Sequence, residues 1–600
     1  MEVMSKMKNM LNFREERVIN LPPEALWDLL ADTDQLNEYA GIFPVNFDQF
    51  TEENNEIIRR ADATAIGILS VKWKEHVFEW VRYAYYTIER EYIEGPLVSA
   101  LWTVRLEPLS DGKTRLLLNG DFICRHIVGK IALVTVIYPQ LRNMLTYATE
   151  YEKNEGKKRP SRVKMVVIEE ARLEQVLTLL EDSFSNKKMV RALANTVRYG
   201  SDEEVLEMQP YRWAAAYHFD RFESVELFLL ANAVGLLDYD WNLMCPNCRV
   251  PKGKASILKQ MTSTVHCELC GVDYDLDFDR YVEMRFHVNA AIRQTTKEVF
   301  CINGPVKSPH ILGQFRVAPN STKRINWLLV EELFRCRTLQ SNHLLEITDI
   351  ICDEAEIRYT DDGFVQSAVA QAKHYELINE TDKEIVIVME KKEWDSYALT
   401  AREVTSLQLF RDLLGTEVLA PGLQIGVGNM AIMFTDLKDS TKLYEQIGDA
   451  KAYSDVQKHF DYIMMHIKKH KGTVVKTIGD SVMGAFTSEN EAFKASVAIQ
   501  RNLHTLNENL SQPVQVKVGF YVGSVIAVNA NELLDYFGRT VNKAARIQQQ
   551  SIGNDIVIDQ ATYERLVKEL PEIATMQNKV FTASLNGFEN DSKLVQFTNI

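Results

Sequence analysis

The chain has 600 residues, 46% of them apolar, 10% aromatic and 25% charged, with a net charge of −15. That length exceeds one core and predicts about four domains. The acidic balance excludes non-specific binding to nucleic acid or to an anionic membrane, since both need a basic surface.

No apolar run reaches the roughly 18 residues of a membrane span. The opening stretch, Met1 to Val18, lacks a signal-peptide core. Four of the eight cysteines form two CxxC pairs, and Cys124, Cys301, Cys336 and Cys352 are scattered. That usage predicts a reducing cytoplasm. The class expected is multidomain α+β.

Residues 13–152 open with Phe13-Arg-Glu-Glu-Arg-Val-Ile19 and then Pro22-Pro23 before a helical pattern at Glu24–Asp32. Proline at a helix start and the spacing of Leu26, Leu29 and Leu30 support that helix. Strand-like runs follow at Thr64–Val71, Tyr83–Ile88, Ser99–Leu106 and Lys113–Asn119, and a long apolar helix is expected over about His126–Tyr151. This order, with the opening "LPPEALWDLLAD", resembles the helix-grip, START-like superfamily. That resemblance implies a small hydrophobic or other regulatory ligand held between sheet and helix. The alternative is that Trp27, Trp80 and Trp102 simply fill a core.

Lys157-Lys158-Arg159-Pro160-Ser161-Arg162 reads as a basic, solvated hinge. Residues 163–240 are expected to be helical, with Tyr211–Phe219 and Ser224–Leu236 as a helix-turn-helix or winged-helix core. The span Phe222–Asp240 contains no Arg or Lys and carries Glu223, Glu226, Asp238 and Asp240. DNA reading is therefore disfavoured against packing or signalling. In 241–280, Cys245-Pro-Asn-Cys248 and Cys267-Glu-Leu-Cys270 place two thiolate pairs on two tight knuckles. Four soft ligands with no open position predict a structural zinc ribbon.

Residues 281–395 alternate short strands and turns at Val299–Cys301, Arg316–Ala318, Leu344–Cys352 and Glu384–Glu390, which predicts a β-sandwich. Residues 400–422 begin with one amphipathic helix, Thr400–Gly415, placed where a dimerising, signal-transmitting helix would sit; ordinary docking is the other reading. Gly426-Val-Gly428-Asn-Met-Ala431 has a GxGxxA spacing but precedes a strand, so it is not a dinucleotide fingerprint.

The chemistry is expected in 423–600. Met430–Phe434 is an apolar strand ending in Thr435-Asp436, followed by Leu437-Lys-Asp-Ser440-Thr441 and a helix. A carboxylate at a strand end beside a helix start suits a divalent metal and a phosphate together. Gly479-Asp480 joins Gly472–Ile478 to Ser481–Phe486 as a tight hairpin with the acid at its tip. Two such acids and a polyphosphate can hold two hard cations. A helix over Ala450–Lys471 carries His466 and His470 near its end, read as a solvated basic terminus. Val514–Val522 is a strand, Asp535–Gly538 a turn, and Thr540–Ile547 a helix with Asn542 and Arg546 on one face.

"FTDLKDST", "VKTIGDSVMGAF" and "LDYFGRTVNKAARI" together resemble the successive signatures of class III adenylate and guanylate cyclases. Upstream, "LDYDWNLMCPNC", "FCINGPVKSPHILGQF" and "SLQLFRDLLGTEVLAPG" resemble the N-terminal regions of a group of soluble cyclases. The resemblance implies a ferredoxin-like βαββαβ catalytic domain. It implies Asp436, Asp480 and the Leu437 carbonyl as ligands of Mg2+ or Mn2+, with Ser440 and Thr441 at the phosphates. Lys476 and Asp535 match the base-selecting positions. Asn542 and Arg546 match the pair that orients ribose and stabilises the pentavalent phosphorus.

The base choice follows from donor chemistry. Lysine only donates and ionised aspartate only accepts, so the pair complements adenine N1 and N6 and leaves guanine unpaired. Guanylate cyclases of the family typically carry Glu and Cys or Ser there. The resemblance further implies a homodimer sharing each site between chains. Two positions depart from the pattern: Arg539 follows Gly538 where Asp or Asn is usual, and Asn586 replaces a lysine thought to reach the phosphates, leaving Lys593 or Lys543 to take its place.

The reading is a cytoplasmic, homodimeric adenylate cyclase regulated by its N-terminal domains. The alternatives are a nucleotide-binding cyclase-like protein with little turnover and a START-like hydrophobe carrier.

Overall fold

The computed structural model describes the chain apart from residues 1–9, 54–55, 66–68, 155, 157–165, 248, 262–263, 268–271, 296–299, 302–303, 328–329, 331–332, 340, 342, 416, 418, 420–423, 531 and 589. Among the described residues no helix is long and apolar enough to cross a membrane.

The N-terminal part is an antiparallel sheet with helices packed on one face. Met10–Ile19, Thr114–Cys124, Leu97–Pro108 and Tyr85–Glu94 lie side by side in that order. The buried face of Thr114–Cys124 alternates residue by residue, as a half-covered strand must. Pro23–Leu30 and Tyr138–Lys153 close over it, packing Leu26, Trp27, Met144 and Tyr147 against Trp102, Leu118 and Phe122. The expected run Thr64–Val71 is two strands, Glu56–Ala65 and Leu69–His76. Between sheet and helix, a void lined by Leu30, Leu36, Val104, Leu116, Leu118, Met144 and Leu145 measures about 10 Å³. That holds no more than about one water. Trp27 and Trp102 do fill the core, so the void offers no preformed room for a lipid-sized ligand.

The β-rich region does not form the separate sandwich that was expected. Ile311–Val317 pairs antiparallel with Glu79–Val81, setting Gly313 opposite Val81 and Gln314 opposite Trp80. The N-terminal sheet therefore continues into it through Ile385–Lys391, Phe334–Thr338, Leu344–Thr360, Ala368–Asn379 and Ser321–Asn326. Val299 lies outside the described residues, and Cys301 is in no strand. The fully buried Glu390 accepts from Arg335 Nε at 2.7 Å and from the fully buried Arg337 Nη2 at 2.9 Å.

Helices Glu170–Ser183, Lys187–Tyr199, Pro210–Tyr217 and Arg221–Ala233 pack on a three-stranded sheet ordered Pro251–Ala255, Leu237–Met244, Val282–Val288. The last two helices fall on the runs expected at Tyr211–Phe219 and Ser224–Leu236. Cys245 and Cys267 are both buried, and Cys248 and Cys270 lie outside the described residues. Among the described residues no group of three or more His, Cys, Asp or Glu forms a metal site. The Cys245 sulfur accepts from Asn247 N–H at 3.4 Å.

The expected single helix before the last domain is two short ones, Ala401–Thr405 and Gln408–Leu413. Leu407 between them is extended, and the Ser406 hydroxyl turns back onto the Glu403 carbonyl at 2.7 Å. Hydroxyls that bond the local backbone in this way compete with helix propagation.

The C-terminal domain is built on an eight-stranded sheet. Its first four strands follow a βαββαβ path, with Thr473–Ile478, Ser481–Phe486, Gln424–Leu437 and Val516–Ala530 in spatial order. Asp449–Lys469 and Glu489–Arg501 cover one face through Val456, Ile463, Phe493 and Ile499. On the other face, Met430, Ile432, Phe434, Met483 and Tyr536 share one apolar core with Phe410, Trp241 and Phe228. The helical and three-stranded units are thus fused to the catalytic sheet by a common core. His466, expected on a solvated helix end, is instead 4% exposed and packs on Tyr462 with ring centres 4.6 Å apart. His470 is half-buried beside Glu491.

The candidate active site on the C-terminal sheet

Strand alternation delivers the first acid. Ala431 and Met433 point to the helices, Ile432 and Phe434 to the opposite face, and Asp436 follows Phe434 onto that side. Its carboxylate accepts from Ser481 Oγ at 2.6 Å and lies 4.0 Å from Lys517 Nζ. Burial raises the Asp436 pKa, and the neighbouring Asp480 charge raises it further against Ser481 and Lys517. Leu437 ends the strand. Asp439 then adopts a left-handed backbone, φ 55°, and the helix Ser440–Ile447 begins without a side-chain cap. Among the described residues the first N–H groups of that helix, at Ser440 and Thr441, have no acceptor.

The second acid sits at the tip of the Thr473–Ile478/Ser481–Phe486 hairpin. Gly479 has φ +63°, which a two-residue turn of this kind needs. Asp480 Oδ2 is buried and has no hydrogen-bond partner among the described residues. Beneath the hairpin lies the buried His459, whose pKa burial pulls down to about 4. An orphaned carboxylate oxygen next to a second carboxylate with a raised pKa is a donor set that fits divalent cations.

Lys476 and Asp535 meet across the domain. Lys476 Nζ donates to Asp535 Oδ2 at 2.6 Å, and the ammonium lies 5.2 Å from the centre of the Phe537 ring. Asp535 lies in a strand, Leu533–Phe537, and not in the turn that was expected. Its other oxygen accepts from Tyr536 N–H at 2.7 Å. The pair is placed asymmetrically, with the lysine side chain 35% exposed and the aspartate 9%.

The helix Arg539–Gln548 carries Asn542 and Arg546. It lies directly on the strand Val516–Ala530, because a Cβ at Gly519 would stand 2.6 Å from Gln548 Cα. Asn542 is exposed, and Arg546 Nη1 donates to Gln549 Oε1 at 3.0 Å. Asn586 is exposed in a turn, Lys593 is exposed on Ser592–Phe597, and Lys543 Nζ lies over the Tyr521 ring at 4.4 Å.

Ser481 and Lys517 join the site without having been anticipated. Ser481 follows Asp480 directly, so its adjacency was available. Lys517 reaches Asp436 only through the strand register that sets the two opposite each other.

Residues 425–587 match the family model described as "Adenylate and Guanylate cyclase catalytic domain". The C-terminal domain is a class III cyclase catalytic domain. Residues 170–298 match a second model, described as a family of unknown function (DUF5939). The cyclase domain is similar to an adenylate cyclase of Lachancea kluyveri, 29% identical over 161 residues, covering 23% of this chain and 9% of that protein. It is also similar to an adenylate cyclase of Neurospora crassa, 29% identical over 150 residues, covering 22% of this chain and 6% of that protein. The match thus spans less than a tenth of those relatives' length. Among solved structures, the adenylyl cyclase CyaB from P. aeruginosa aligns with 20% identity over 30% of this chain and 97% of its own, with a TM-score of 0.27. Cyclases of this class use divalent Mg or Mn ions.

Proposed function

We propose that the chain is an adenylate cyclase, converting ATP to 3′,5′-cyclic AMP and pyrophosphate in a homodimer under the control of its N-terminal units. The observation that carries the choice of ATP is the Lys476–Asp535 pair. Adenine presents an acceptor at N1 and a donor at N6, and an ammonium beside a carboxylate answers both. Guanine, with a donor at N1 and an acceptor at O6, would set donor against ammonium and acceptor against carboxylate, which discriminates by several kcal/mol.

Asp436, Asp480 and the Leu437 carbonyl would hold the cations. When bound, these supply charge neutralisation at the triphosphate and a lowered pKa at the ribose 3′-OH. The chain's own groups do the rest. The free N–H groups at Ser440 and Thr441 face phosphate oxygens, and Asn542 orients the ribose. The 3′-oxygen attacks the α-phosphorus in line, the bond to pyrophosphate breaks, and Arg546 neutralises the charge that grows there. In the homodimer one chain gives the metal acids and the other gives Asn542 and Arg546, so two chains build two sites. Cys245, Cys248, Cys267 and Cys270 would hold a structural zinc that fixes the ribbon beside the three-stranded sheet.

Purified chain given ATP with Mn2+ or Mg2+ is expected to release cyclic AMP, and Asp480→Ala to release none. ATP retained without turnover under every metal condition would instead identify a nucleotide-binding protein.

A further inference from the structure

Both strands that carry the base-reading pair are edge strands. Among the described residues, Thr473–Ile478 pairs only with Ser481–Phe486, and Leu533–Phe537 only with Val516–Ala530. The first ladder also slips between Val474 and Lys476. Strands held on one side need another restraint to fix a side-chain pair between them.

The helix Gln408–Leu413 supplies it. Gln408 Oε1 accepts from Val474 N–H at 2.8 Å and from Thr473 Oγ1 at 3.3 Å. Arg411, one helical turn on and so on the same face, donates from Nη1 to the Leu534 carbonyl at 2.9 Å. Its guanidinium lies 5.8 Å from the centre of the Tyr536 ring and is steadied by the Thr405 carbonyl at 3.3 Å from Nε. Val474 is two residues from Lys476, and Leu534 and Tyr536 flank Asp535. One turn of helix therefore bonds the free side of both strands.

The same segment is anchored to the three-stranded sheet. The Phe410 ring lies 6.1 Å from Trp241. Arg402 pairs with Asp279 at 3.3 Å, and Met284 N–H donates to the Leu399 carbonyl at 2.9 Å. Glu417 accepts from Tyr239 Oη at 2.7 Å, Trp241 Nε1 at 3.3 Å and Leu258 N–H at 2.9 Å.

We infer that Gln408 and Arg411 are positioning residues for purine selection. They set the spacing of Lys476 and Asp535. The inference rests on the reading of Lys476 and Asp535 as the base readers.

The test uses the full chain and compares kcat/KM for ATP and for GTP, melting temperature and amide hydrogen exchange. The variants are Gln408→Ala, Arg411→Ala, the double variant Gln408→Glu with Asp412→Asn, and Asp353→Ala. Each of the first two is expected to lower the ATP-over-GTP ratio about tenfold, the scale of one hydrogen bond, and to speed exchange in 473–478 or 533–537. Gln408 also donates from Nε2 to Asp412 Oδ1 at 2.9 Å, so Gln408→Glu is paired with Asp412→Asn; the double variant keeps the acceptor and that contact and should hold the ratio within about twofold of wild type. Asp353 meets the exposed Lys373, at 2.8 Å, in the β-rich region, so Asp353→Ala should leave the ratio unchanged. ATP and GTP rates that fall together at constant ratio, or an equal shift in Asp353→Ala, would overturn the inference. If wild type prefers GTP or turns over neither nucleotide, the adenylate reading fails. Exchange then decides the clamp alone: faster exchange in the two strands upholds it, and unchanged exchange overturns it.

Discussion

Lys476 Nζ and Asp535 Oδ2 stand 2.6 Å apart, on two strands that share no ladder. The contact is therefore a side-chain contact alone, and a substituted pair should change what the two strands recognise without disturbing the sheet. Lys476→Glu with Asp535→Cys reverses the donor and acceptor at both positions. Cyclic AMP formation should fall by roughly two orders of magnitude or more, and cyclic GMP should become the main product. Parallel product chromatography from ATP and GTP reads this directly.

Asp436 and Asp480 bring two carboxylates together, with burial and mutual charge raising the Asp436 pKa. A divalent cation relieves both costs. Mn2+ at about one hundred times its dissociation constant should add about 2.7 kcal/mol of stability. Asp480→Asn should melt no lower than wild type without metal and lose most of the Mn2+-dependent gain. Differential scanning fluorimetry across a Mn2+ series checks it.

Burial, with smaller contributions from the charges of His470 and Lys469, lowers the His466 pKa to about 4 from an ordinary 6.5. Between those values the unfolded chain takes up a proton that the folded chain refuses. Stability is therefore full above pH 6.5 and falls as pH drops toward 4, by up to about 1.4 kcal/mol per pH unit. His466→Leu should remove its own share of the acid-side decline, leaving that of His459, with the neutral-pH melt nearly unchanged. Chemical denaturation at pH 7.5, 6.0 and 5.0 measures the difference.

Glu390 compensates Arg335 and Arg337, and Arg337 is itself fully buried and also donates to the Asn247 carbonyl at 3.1 Å. Glu390→Gln strands two guanidinium charges around a neutral amide. It should cost about 3–5 kcal/mol, seen as a lowered urea midpoint.

The parts of the site that were legible in the sequence are local. Asp480 sits between two apolar runs after a glycine, and Asp436 ends one, so strand end and hairpin tip could be read from a few residues each. Contacts set by distant register were not legible. Gln314 donates to the Phe78 carbonyl across 236 positions, and no local pattern signals that the β-rich region would extend the N-terminal sheet. Asp535 and Gly538 bracket a turn-like tetrapeptide, but pairing with Val528 draws Asp535 into a strand. The break after Thr405 was hidden because hydrophobic periodicity continues through it, while the Ser406 hydroxyl competes for the backbone. His466 looked solvated among lysines; its own side chain faces Tyr462 and the core.

The most direct measurement places equal ATP and GTP in one reaction with purified chain and Mn2+, and quantifies both cyclic products. The account predicts cyclic AMP in large excess, abolished by Asp480→Ala. Cyclic GMP in excess, or no cyclic product with any divalent metal, would contradict it.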